Sequence, residues 1–107
     1  MNDEHSPPSA ARQWLHQRTA RGPSALRDRV LEHAAAVSEG DSVAEYLGLA
    51  AERVLAIVEE HPGDRAIALD LLAADALITL ALLAQAEQSP ERLGEFAEGL
   101  LAAERVV

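Results

Sequence analysis

Residues Ala66 to Ala84 leave a folded chain few choices. They hold Ile67, Leu69, Leu71, Leu72, Leu77, Ile78, Leu80, Leu82 and Leu83, with seven alanines among them and no glycine or proline. As a helix, this segment is apolar on every side instead of along one stripe. Such a helix belongs in an interior or in a membrane. Asp70 and Asp75 lie inside it. A carboxylate near a bilayer centre costs about 2.5–3.5 kcal/mol on insertion scales. Pro62-Gly63-Asp64 before the segment and Gln85 to Gln88 after it supply no basic anchors. The sequence therefore predicts a buried central helix over Arg65 to Gln88 and no membrane partner.

The rest of the chain reads as shorter helices. Residues 1–8 carry Pro7-Pro8 and no apolar periodicity, which predicts a disordered tail. Ser9 suits the cap of a first helix, Ala10 to Ala20, anchored by Trp14 and Leu15. Eleven residues are marginal alone, so this helix must dock to persist. Arg21-Gly22-Pro23 ends it, with glycine placed for a left-handed terminus and proline for the next first turn. A second helix follows from about Pro23 to Ser38, with a stripe of Leu26, Val30, Ala34 and Val37. Gly40-Asp41-Ser42 breaks the chain, and Ser42 with Glu45 has capping-box spacing. The third helix runs to about Glu60 on a stripe of Val43, Tyr46, Leu47, Ala50, Val54, Ile57 and Val58. After the long apolar segment, Ser89-Pro90-Glu91 signals a fifth helix using Leu93, Phe96, Ala97, Leu100 and Leu101. Gly99 within it points to a tight crossing with another helix.

No strand pattern survives this reading. Short connections place consecutive helices antiparallel. The expected fold is all-α: an up-down bundle of four main helices in one domain, residues 9–107, with the short N-terminal helix packed across it. A bundle of this size has too few helices to cover the fourth one on all sides. Exposed apolar surface of that extent marks an interface, and two-fold dimers are the commonest homo-oligomers. A homodimer is expected, with a larger protein as the other partner. The interface candidates are Leu71, Ile78, Leu82, Leu83 and Phe96.

Charge narrows the partners. The 107 residues carry 18 acids, nine arginines and no lysine, a net charge of -9. Arg12, Arg18, Arg21, Arg27 and Arg29 all lie in the first 29 residues, so the remainder is strongly acidic. An acidic body repels phosphate backbones, which argues against nucleic acid. The N-terminal arginines are expected to pair with that acidic body. The N-terminus lacks a signal-peptide pattern, so a cytoplasmic location is expected.

Chemistry is sparse. Without cysteine there is no thiolate nucleophile or thiolate metal site. The sequence has no Gly-x-Ser-x-Gly elbow, no phosphate-cradling glycine loop and no HExxH pattern. No catalytic residue, metal site or cofactor is expected. The alternative function is ligand or metal binding through the carboxylates of the central helix. Asp70 and Asp75 are its first candidates, because a buried charge must be paired or protonated. Five helical residues set them about 140° apart, so they do not share a face. Asp75 is placed to meet its own copy across a two-fold axis. The structural alternative is that either aspartate accepts a hydrogen bond from Arg53 or an N-terminal arginine, or marks a surface edge. Thr79 lies one turn after Asp75, and Tyr46 and Trp14 complete the ligand-site candidates.

Overall fold

The computed structural model describes residues 10–37, 42–61, 63 and 67–105. The expected tail at residues 1–8, the Ser9 cap and the Gly40-Asp41 break lie outside the described residues. Among the described residues there are five α-helices: α1 (Ala10–Thr19), α2 (Ser24–Ala35), α3 (Val43–Glu60), α4 (Ile67–Gln88) and α5 (Leu93–Arg105). A 3-10 turn, Pro90–Arg92, leads into α5. There is no strand among the described residues.

Local chemistry sets the boundaries. The Ser42 hydroxyl accepts from the backbone N–H of Glu45 at 3.1 Å, so one of the four N–H groups left open at the start of α3 is satisfied. The turn after α3 uses Gly63 at φ 85°, a left-handed conformation in which a Cβ would be strained. Gly22 does not share it. Its N–H bonds to the Thr19 carbonyl at 3.0 Å, and Gly63 is the one residue with positive φ among those described. Before α5 the Ser89 side chain makes no cap bond. The Arg92 N–H instead closes the 3-10 turn on the Ser89 carbonyl at 2.9 Å.

The centre of the molecule is the pair α3 and α4, which make its most extensive helix contact. Small side chains line that seam. Ala44, Ala50 and Ala51 of α3 and Ala73, Ala74, Ala81 and Ala84 of α4 are all buried. Leu47, Val54 and Leu77 fill the space between them, with Leu15 of α1 and Val30 of α2 closing the core. Gly48 admits α5, because a Cβ there would sit 3.3 Å from the Leu100 side chain and 3.8 Å from that of Phe96. The close approach is therefore at Gly48. Gly99 has open space around it, contrary to the crossing expected at that position.

α1 is held by polar contacts as well as by Leu15. The Trp14 indole N–H donates to Glu87 at 3.0 Å. The Arg18 guanidinium reaches the same carboxylate at 2.7 Å and lies 4.8 Å from the centre of the Trp14 ring. Together these bonds hold the Glu87 carboxyl below the usual carboxylate range: the Trp14 bond does most, desolvation opposes it, and the hydrogen bond and charge of Arg18 add to the lowering.

Candidate interaction surface

The expected burial of α4 on all sides is not what a single chain delivers. Its inward face is Asp70, Ala73, Ala74, Leu77, Ala81 and Ala84. Away from that face, on the outer face of the helix, stand Leu71, Leu72 and Leu83, 52%, 55% and 40% exposed. α3 buries Ala44, Gly48, Ala50 and Ala51 beside Tyr46, Leu47 and Val54, and small side chains on both helices suit a close approach of their backbones. Ala68, Asp75 and Thr79 are exposed on that same outer face, and Leu82 and Ala86 are half-buried along it. Beside Thr79 the face runs into a shallow, mainly apolar groove between α2 and α4, about 290 Å³, walled by Pro23, Leu26, Val30, Ala76 and Leu80.

Two of the interface candidates do not lie on this surface alone. Ile78 is half-buried and packs against the core at the edge of the face. Phe96 sits on α5, against Gly48 of α3. Leu71, Leu82 and Leu83 do belong to the outer face, and Leu72, the most exposed leucine of α4, joins them. α4 is also the one helix, among the described residues, long and apolar enough to cross a membrane.

The five ligand-site candidates are placed apart. Asp70 is buried, 7% exposed, and held by α2. The Arg29 Nε–H donates to its Oδ1 at 3.2 Å, and His33 Nε2 meets the same oxygen at 2.8 Å. Arg53 Nη1 approaches His33 Nδ1 at 3.2 Å. A guanidinium only donates, so Nδ1 accepts and the Nε2–H is the donor to Asp70. The chain of bonds Arg53, His33, Asp70 and Arg29 satisfies a buried carboxylate from two sides. The arginine expected for Asp70 is thus Arg29, while Arg53 reaches it through His33. Asp75 is exposed, so its location in the apolar segment does not bury it. Tyr46 is buried, and its hydroxyl donates to the Ala34 carbonyl at 2.8 Å. Trp14 is half-buried at the α1–α4 contact. Of the five, only Asp75 and Thr79 share a surface.

The sequence reading does not pair His33 with Asp70. A usable signal was present. Arg29 and His33 stand one turn apart on α2, a basic pair on the helix that packs on α4. No group of three His, Asp or Glu side chains able to hold a metal ion occurs among the described residues. The sequence matches no protein-family model, and no curated protein or solved structure matches it.

Proposed function

We propose that this protein is a non-enzymatic interaction module that works as a homodimer through the outer face of α4. One observation carries this reading: α4 turns mainly alanines inward, with Leu77 its one fully buried leucine, and leaves Leu71, Leu72 and Leu83 exposed. A helix selected only to stabilise a single chain gains most by burying the larger side chains. A fully buried leucine contributes about 1.5–3 kcal/mol relative to an exposed one. An outward row of leucines gains that contribution only when another surface covers it. The chemistry of the described residues agrees. The buried His33 and Asp70 are committed to arginines and to each other, which leaves no nucleophile or open ligand set beside them.

Concentration-dependent thermal unfolding tests the reading. The unfolding midpoint of a dimer rises with protein concentration, because association stabilises the folded state. The expected result is a rising midpoint for the native chain. Leu72→Glu, which changes a side chain with little role in the core, should retain its helical circular dichroism and lose the concentration dependence. A midpoint independent of concentration in the native chain would contradict the proposal.

A further inference from the structure

The outer face of α4 is mirrored about its own midpoint. Leu71 and Leu83 stand six residues on either side of Leu77, and Leu72 and Leu82 stand five on either side. Ala68 and Ala86 stand nine away, and Asp75 and Thr79 two away. The row Ala68, Leu72, Asp75, Thr79, Leu82, Ala86 also advances in alternating steps of four and three. That is the spacing that keeps one seam of a helix against a partner helix.

We propose that two chains pair their α4 helices antiparallel about a two-fold axis between them at the level of Leu77, with each Asp75 accepting a hydrogen bond from the partner's Thr79. This rests on the self-association reading and adds its geometry. In an isologous contact, residue i meets residue j and j meets i. About this axis, leucine meets leucine at two levels and alanine meets alanine at the ends. Leucine opposite leucine is an easy match in a helix this rich in them. The polar level discriminates better. Asp75 is the single acid on the outer face from Ala68 to Ala86, and the antiparallel register sets it opposite the one hydroxyl there. A parallel pair in register would set carboxylate against carboxylate, which is repulsive. A different protein would impose no mirror on this face. A bilayer would leave Asp75 at its centre without a donor.

The test uses the absence of native cysteine. Leu72→Cys and Leu82→Cys chains are prepared singly, unfolded and refolded alone or mixed one to one, and then oxidised. In the antiparallel register, residue 72 faces residue 82 of the other chain, while two copies of residue 72 lie about 15 Å apart along the axis. A disulfide needs Cα atoms within about 7 Å. The mixture should therefore form covalent dimer at least tenfold faster than either variant alone. Equal or faster cross-linking of Leu72→Cys by itself would overturn the antiparallel register in favour of a parallel one. A dimeric native chain with no cross-link in the mixture would overturn the register and leave self-association standing. A monomeric native chain would overturn both.

Discussion

Single residues divide here into those that hold the fold and those exposed on the outer face of α4. Asp70 is the clearest of the first kind. Its carboxylate is buried between Arg29 and His33, so Asp70→Ala should strand both donors. Arg29 is about a third exposed and regains some water, which lowers the penalty of a fully buried broken pair to about 2–3 kcal/mol. Urea denaturation measures it. Asp75→Ala, on the outer face, should move the unfolding of an isolated chain by less than about 0.5 kcal/mol. Tyr46→Phe removes the donor to the buried Ala34 carbonyl and should cost about 1–2 kcal/mol. The sequence showed that a charge in the apolar segment needed a partner. It did not show which aspartate was buried, because both sit among the same leucines and alanines. The deciding contact joins residues 37 positions apart.

At the scale of elements, the helix boundaries were legible from local breakers, although the left-handed terminus expected at Gly22 and the side-chain cap expected at Ser89 do not form. Ser42 caps α3 and Gly63 turns the chain, as local patterning requires. The orientation of α4 was not legible. A helix apolar on all sides has no hydrophobic phase, so periodicity contains no information about which side faces in. Which side is buried follows from the packing of α4 on α3 and α2, contacts that join residues distant in sequence. α1 offers a direct test of an element's attachment. Glu87 has its carboxyl pKa lowered by Trp14 and Arg18, so this contact stabilises the fold fully above the ordinary carboxylate pKa. The contribution is lost as pH falls through the lowered value. Trp14 is the sole tryptophan, so its fluorescence reports the contact. An acid transition below the usual carboxylate range is expected in the native chain and should be absent in Glu87→Gln.

For the whole molecule, the all-helical fold followed from patterning, while burial of α4 needed more protein than one chain holds. An apolar core lined with alanine is narrow, and Leu71, Leu72 and Leu83 of α4 stand outside it. The net charge of -9 adds a condition on pairing. Two such chains repel one another, and salt screens that repulsion over about 10 Å at 0.1 M. Raising sodium chloride from 50 to 500 mM should therefore tighten the dimer, as read by its dissociation constant. Association driven by opposite charges would weaken instead.

Sedimentation equilibrium of the native chain, with Leu72→Glu run beside it, tests the central claim most directly. Pairing through α4 predicts a mass about twice the 11.4 kDa of one chain, returning to that of one chain in the variant. A native chain that stays at the single-chain mass across the concentration range, with its leucines facing water, would contradict it.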